Sequence, residues 1–127
     1  MPHMDITYSR NLGAKADIDA LCTAIGDAMA ATGIFPLGGT RVRAICCDAY
    51  VIADRDPANA FADMVLRIGA GRTPAVKKTA GDAIWAAACA HLAALFDTPH
   101  FALSFEIREM EPDLSWKKNS IHARLKI

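Results

Sequence analysis

The second residue of the chain is a proline whose backbone nitrogen could act as a base. Methionine aminopeptidase removes Met1 when the next residue is small, and the mature chain would then begin with the secondary amine of Pro2. Such an amine can take a proton from a carbon beside a carbonyl or an enol. A partly apolar site and nearby cations favour this role because both lower the pKa of the amine. With Met1 retained, the nitrogen of Pro2 is an amide and has no basicity.

Arginines near the predicted ends of two strands could supply those cations. Arg41 and Arg43 lie two residues apart, on one face of a predicted strand that follows a glycine turn. Arg72 follows the glycine-rich break at residues 69–71. A guanidinium group binds both oxygens of a carboxylate at once, so these residues predict a small-molecule carboxylate ligand. The alternative is that each arginine is a solvated surface residue. The run at 69–72 lacks the lysine and hydroxyl of a phosphate-binding P-loop.

The histidines and cysteines do not predict a metal site or an organic cofactor. The chain has four of each, and none shows C-x-x-C spacing or a paired histidine motif. The cysteines fit small buried hydrophobic residues in a reducing compartment, which predicts a cytoplasmic protein. His91 is predicted to be a core histidine on the apolar face of a helix. Trp116 could line a pocket or cover a subunit contact, and no role is assigned to Arg43 or His3.

Length and charge narrow the class of protein. The 127 residues predict a single domain over 1–127, and the 14 basic and 14 acidic residues cancel. This balance gives no reason to expect a nucleic-acid or membrane-surface partner. The longest apolar stretch, residues 83–96, is too short to span a membrane, and the first ten residues do not resemble a signal peptide.

Hydrophobic periodicity predicts the elements that position these residues. Strands are expected over 4–9, 40–47, 62–68 and 101–107. One helix should begin after an N-cap at Asp17 and end at Thr32-Gly33. A second should begin at Thr73-Pro74 and continue to about Phe96, with one face formed by Val76, Ala80, Ile84, Ala87, His91 and Leu95. The tail, Pro112 to Ile127, is predicted to form an arm or a short extra strand.

These elements form two consecutive strand–helix–strand units. Such crossovers are right-handed and place the two strands of each unit in parallel. The predicted fold is therefore of the α/β (α+β) class, with a four-stranded mixed sheet and both helices on one face. Apolar side chains of the strand at 101–107 are expected to pack on a second subunit, which predicts an oligomer.

Several segments, in order along nearly the whole chain, resemble the 5-carboxymethyl-2-hydroxymuconate isomerase family of the tautomerase superfamily. They are Met1-Pro2-His3, residues 30–37, the Arg41-x-Arg43 pair, residues 68–72 and residues 103–107. The resemblance implies a tautomerase-like homotrimer in bacterial homoprotocatechuate degradation, a route of aromatic compound catabolism. It also implies a cofactor-free isomerase that moves a double bond by proton transfer. Its substrate would be an unsaturated 2-hydroxy or 2-keto polycarboxylate such as 5-carboxymethyl-2-hydroxymuconate.

The resemblance also assigns roles to individual residues. Pro2 matches the general base of the family, and Arg41 and Arg72 match the arginines that bind and polarise the carboxylate-bearing substrate. Residues 5–10 and 115–117 match the family less well, which leaves the exact substrate open. Two alternatives remain at this point: a trimeric small-molecule-binding protein with the same fold and no turnover, and an interaction domain that uses its exposed sheet face.

Overall fold

Four strands form one mixed sheet in the computed structural model, which describes residues 1–125. The strands are β1 His3–Ser9, β2 Arg41–Cys47, β3 Ala60–Ile68 and β4 Phe101–Glu109, and the helices are α1 Ile18–Ala31, α2 Pro74–His91 and α3 Ile121–Leu125. Across the sheet the order is β2-β1-β3-β4. The pairs β1–β2 and β3–β4 are parallel, and β1 is antiparallel to β3. The predicted mixed sheet of two consecutive βαβ units is confirmed.

Local capping starts both long helices, and ends α1, where the sequence predicts. The carboxylate of Asp17 accepts a hydrogen bond from the Ala20 amide at 3.0 Å. The hydroxyl of Thr73 accepts one from the Val76 amide at 3.2 Å, and Pro74 occupies the first turn of α2. At the other end of α1, Gly33 has a φ of 72°, a left-handed conformation that glycine adopts at little cost.

The buried face of α2 matches the predicted one at Ala80 and Ile84 and differs from it on either side of them. Side chains at four-residue steps are buried against the sheet and α1, namely Ala80, Ile84, Ala88 and Leu92. His91 is exposed, with its Nε2 atom 3.3 Å from the backbone oxygen of Asp17, so the prediction of a core histidine was wrong. The helix also ends at His91 rather than near Phe96. A tighter 3₁₀ turn at Ala93–Asp97 follows and leads the chain into β4.

The apolar side chains of β4 lie on the helix-covered face of the sheet, not on the open one. Phe101, Leu103, Phe105 and Ile107 all pack against the core. The open face is mixed: the Asp5 carboxylate is 2.6 Å from Nε of Arg43 and the Ser104 hydroxyl donates to Asp63 at 2.6 Å, and Ile45 and Val65 lie on the same face. The stated reason for expecting an oligomer was therefore wrong, because alternation along β4 directs its apolar residues inward.

Two further expectations are corrected. Cys46 is exposed and the other three cysteines are only partly buried, so they are not uniformly core residues. In the tail, where an arm or a short extra strand was predicted, residues 112–125 form a 3₁₀ turn at Pro112–Leu114 and helix α3, so the extra strand was wrong. Lys126 and Ile127 lie outside the described residues. Within 1–125, no helix combines the length and apolar character needed to cross a membrane.

The corrected face of α2 gives the first testable prediction. Ile84→Ala should lower the free energy of unfolding by about 2–5 kcal/mol, because it opens a cavity in the core. Val76→Ala on the same helix should change it by less than about 1 kcal/mol, since Val76 is 39% exposed. Urea unfolding at one protein concentration measures both. Equal losses for the two variants would contradict the observed helix orientation.

Candidate active site

The register of the sheet brings the chain start and two arginine-bearing segments to one end of the fold. His3 pairs with Arg41 at the start of β2 and with Arg67 near the end of β3. Pro2 is buried, and its carbonyl accepts a hydrogen bond from the Arg41 amide at 3.1 Å. Since Arg72 follows the end of β3, the fold places Pro2, Arg41 and Arg72 in one region.

Arg72 is held in a fixed position by the backbone. Its NH1 donates to the Gly69 carbonyl at 3.3 Å and its NH2 to the Ile34 carbonyl at 2.8 Å. The guanidinium carbon also lies 5.1 Å from the centroid of the Phe35 ring, a distance suited to a cation–π contact. These contacts orient the guanidinium group without neutralising its charge.

Arg41 is partly buried, and its NH1 lies 3.2 Å from the Gly39 carbonyl and 3.5 Å from the sulfur of Met1. Within residues 1–125, neither Arg41 nor Arg72 forms an ion pair with an acidic side chain. Two positive charges without an anion create a site that favours a negatively charged ligand.

Arg43 does not join this group, although it lies on the same face of β2. Its guanidinium is paired with Asp5 and also approaches Nδ1 of His3 at 3.4 Å. Burial lowers the pKa of His3, and the charges of Arg67, Arg41 and Arg43 lower it further. His3 is therefore harder to protonate than an ordinary histidine. Among residues 1–125, no three His, Cys, Asp or Glu side chains are close enough to hold a metal ion.

The tail supplies residues that the sequence did not assign to this region. A cavity of about 260 Å³ is lined by Met1, His3, residues 69–70 and the tail residues Met110, Pro112, Ser115, Trp116 and Lys117. Lys117 brings a third cation to the site. Nothing in the sequence distinguishes this lysine from a solvated one, because the tail has no periodicity that would fix its direction.

Contacts with the turn at Leu37–Gly39 hold the tail over the site. The Asn119 side-chain amide donates to the Gly38 carbonyl at 2.8 Å. His122 packs so closely on this turn that a Cβ atom added at Gly38 would lie 2.8 Å from its Cα atom. Only glycine permits this approach. The tail is thereby fixed beside Met1 and Arg41.

The amino terminus at this site has an altered basicity. Burial lowers the pKa of the Met1 amine below its ordinary value of 8.0, and the charges of Lys117, Arg72 and Arg41 lower it further. Both effects disfavour the protonated form. Pro2, the next residue along the chain, is buried at the same end of the fold.

A larger groove, of about 520 Å³, lies between α2 and β4 and is lined by residues that include Trp85, Phe105 and Ile107. Its charged groups include Lys77 and Glu109, which form an ion pair. It offers an apolar surface but no uncompensated guanidinium group. The smaller cavity is lined by Lys117 and by Met1, whose sulfur contacts Arg41, and it is therefore the better candidate for proton-transfer chemistry on an anion.

Comparisons with known proteins agree with one another. A family model described as 5-carboxymethyl-2-hydroxymuconate isomerase matches residues 2–125. The Escherichia coli 5-carboxymethyl-2-hydroxymuconate Delta-isomerase is 40% identical over 126 residues, which are 99% of this chain and 100% of that protein. The crystal structure of a 5-carboxymethyl-2-hydroxymuconate isomerase from Deinococcus radiodurans R1 superposes with a TM-score of 0.92 at 41% identity, covering 99% of this chain and 95% of that one.

A more distant structure shares the fold alone. It is described as a fused 4-OT wild-type symmetric trimer, and it matches with a TM-score of 0.67 at 17% identity. The match covers 91% of this chain and 93% of the other. The predicted tautomerase-like fold is confirmed by these similarities together with the sheet topology.

The role of Lys117 in lowering the basicity of the amino terminus can be tested directly. In the chain that retains Met1, Lys117→Met should raise the pKa of the terminal amine, because it removes a positive charge that opposes protonation. The pH dependence of carbamylation by cyanate, followed at the terminal peptide by mass spectrometry, measures this pKa. Lys118→Met is the matched control, since Lys118 is not among the cations that act on the amine. The same pKa in both variants would contradict the assignment.

Proposed function

Because this chain belongs to the 5-carboxymethyl-2-hydroxymuconate isomerase family, we propose that it moves a double bond by proton transfer in an unsaturated 2-hydroxy polycarboxylate. The proposed substrate is 5-carboxymethyl-2-hydroxymuconate or a close relative. The name describes a muconate, itself a dicarboxylate, with one further carboxymethyl group. Such a trianion suits a site that gathers several cations.

One observation carries the proposal: the terminal amine and three cations share one site. Arg41, Arg72 and Lys117 all act on the pKa of the amine at the chain start. This amine is that of Met1. Once Met1 is removed, the amine of Pro2 takes its place beside the same cations in this proposal, so that a larger fraction of it is the free base near neutral pH. The cations that lower the pKa would also bind the carboxylates of the substrate.

In the proposed mechanism, Pro2 is the general base. After removal of Met1, its secondary amine takes the proton of the substrate's 2-hydroxyl group, which leaves a dienolate. The Pro2 ammonium then returns a proton to a carbon further along the conjugated system, so that the double bond moves and the base is regenerated. Protons and charges balance within the substrate and Pro2, and the reaction needs no external oxidant or reductant.

Arg41 and Arg72 have two roles in this proposal. Their forked guanidinium groups bind substrate carboxylates, and their charge stabilises the dienolate as it forms. The backbone carbonyls that hold Arg72 support this role, since an oriented charge needs little reorganisation when the reaction occurs.

In this mechanism, activity requires a free amine at Pro2. In the described structure Met1 precedes Pro2, whose nitrogen is then an amide, and the sulfur of Met1 contacts Arg41. We propose that Met1 is removed in the active enzyme. A chain that retains Met1 would bind anions without converting them. Such a chain would correspond to the alternative function, a small-molecule-binding protein without turnover.

Assembly and cellular setting are part of the proposal. Structures described as symmetric trimers of a fused 4-OT share the fold, which supports a homotrimer. We propose that residues 1–127 act as a single domain in each subunit, without a cofactor. The proposed setting is the cytoplasmic degradation of homoprotocatechuate, an aromatic compound.

Removal of the Pro2 amine should abolish the reaction. Protein from cells treated with a methionine aminopeptidase inhibitor, shown by intact mass to retain Met1, should be inactive, while the processed chain converts the dienol. Pro2→Ala should lower kcat by about 10²–10⁴-fold, the range expected for a general base, since a processed alanine offers a differently oriented primary amine. Loss of the dienol ultraviolet absorbance measures the rate.

Equal activity of the chains with and without Met1 would contradict Pro2 as the base. A fully processed chain that binds the dienol without converting it would support the binding protein instead of the isomerase. Circular dichroism and the oligomer mass of each form serve as controls for folding and assembly.

Arg41 and Arg43 provide a matched pair on one strand. Arg41→Ala should lower kcat/KM by about 10–100-fold, because it removes a charged hydrogen-bond donor from the carboxylate site. Arg43→Ala should have a much smaller effect, since Arg43 is paired with Asp5 on the open sheet face. Steady-state kinetics on the dienol measure both. Similar losses of kcat/KM in the two variants would contradict a specific role for Arg41, because they would show that any positive charge on β2 contributes equally.

A further inference from the structure

We infer that Asn119, in the tail, is a substrate-binding residue that shares one substrate carboxylate with Arg41. The inference rests on the proposed function, and it adds to that site a neutral donor placed opposite an arginine. The observations behind it are the contacts of Met1, the residue that is removed in the proposed active enzyme.

Two donors converge on the sulfur of Met1. The NH1 group of Arg41 lies 3.5 Å from it, and the side-chain nitrogen of Asn119 lies 3.2 Å from it. A thioether sulfur is a weak hydrogen-bond acceptor. Once Met1 has left, both donors face the position that its sulfur occupied, which then holds no acceptor. An anionic oxygen fits this position far better than sulfur does.

The Asn119 amide is fixed in the orientation that this role requires. Its oxygen accepts hydrogen bonds from the backbone amides of Ile121 at 2.7 Å and His122 at 3.3 Å. The nitrogen must therefore point the other way, where one of its hydrogens is donated to the Gly38 carbonyl at 2.8 Å. An amide nitrogen carries two hydrogens, and the second one is directed to the Met1 position.

Burial and neighbouring charge favour a bound carboxylate here. Asn119 is partly buried, unlike its immediate neighbours Lys118 and Ser120, which are exposed. Lys117 lines the cavity next to Met1. A carboxylate held between Arg41 and Asn119 would gain one charged and one neutral donor, with Lys117 adding long-range attraction.

The test uses the processed enzyme and the dienol substrate. Asn119→Ala should raise KM by about 10–100-fold, the effect of losing a hydrogen bond to a charged group, while kcat changes less than about threefold. Ser120→Ala is the control, because Ser120 is the exposed neighbour of Asn119. An unchanged KM in Asn119→Ala would overturn the inference.

A second variant guards against a purely structural effect. Asn119→Asp keeps the oxygen that accepts from Ile121 and His122, but it replaces the donor with a negative charge. It should raise KM more than Asn119→Ala does, because the new charge repels the substrate. If instead Asn119→Asp binds substrate like the wild type while Asn119→Ala does not, the residue only supports the tail and the inference fails.

A double-mutant cycle tests whether the carboxylate is shared. The effects of Asn119→Ala and Arg41→Lys on kcat/KM should be clearly non-additive if both residues hold one carboxylate. Additive effects would overturn the sharing. A processed wild-type enzyme that fails to isomerise the dienol would refute the proposed function itself, whereas an active wild type with unaffected Asn119 variants would refute only this inference.

Discussion

The site depends on β1 pairing with two strands at once. Hydrogen bonds to β2 on one side and β3 on the other hold the start of the chain, so an amino terminus that would otherwise fray is buried at Pro2. Because β2 runs parallel and β3 antiparallel to it, the first residues of β1 meet the start of β2 and the end of β3. This topology is what brings Arg41 and Arg72, which are separated by 30 residues of chain, to the same amine.

Gathering cations around an amine has an electrostatic cost, which the fold offsets elsewhere. Arg72 is held by two backbone carbonyls and the Phe35 ring, and Arg41 by the Gly39 carbonyl. These partners orient the guanidinium groups while leaving their net charge uncompensated. The core that supports them is apolar, with Met4, Ile6, Met64 and Leu66 fully buried, and it includes Phe35.

Much of this arrangement could be predicted from the sequence, for reasons that are local. Capping at Asp17 and Thr73 and the alternation along each strand depend on neighbours within a few residues, so both βαβ units and the strand-end arginines were correctly placed. The wrong predictions concern features that are determined by tertiary packing. Which face of α2 is buried, and that β4 turns its apolar residues toward the helices, depend on contacts between elements. The tail was the least predictable part, because Asn119 is positioned by Gly38, 81 residues earlier in the chain.

The tail does not depend on Met1 for its position. Its anchors are the Asn119 bond to Gly38 and the close packing of His122 on the same turn, and both involve residues that remain after processing. The contacts of Met1 with Arg41 and Asn119 are made through a weakly accepting sulfur, so their loss removes little stability. Excision of Met1 would thus expose two donors that are already oriented, with no rearrangement of the groups that hold them. Hydrogen-bond donors stabilise a developing negative charge most effectively when they are held in place before the substrate binds.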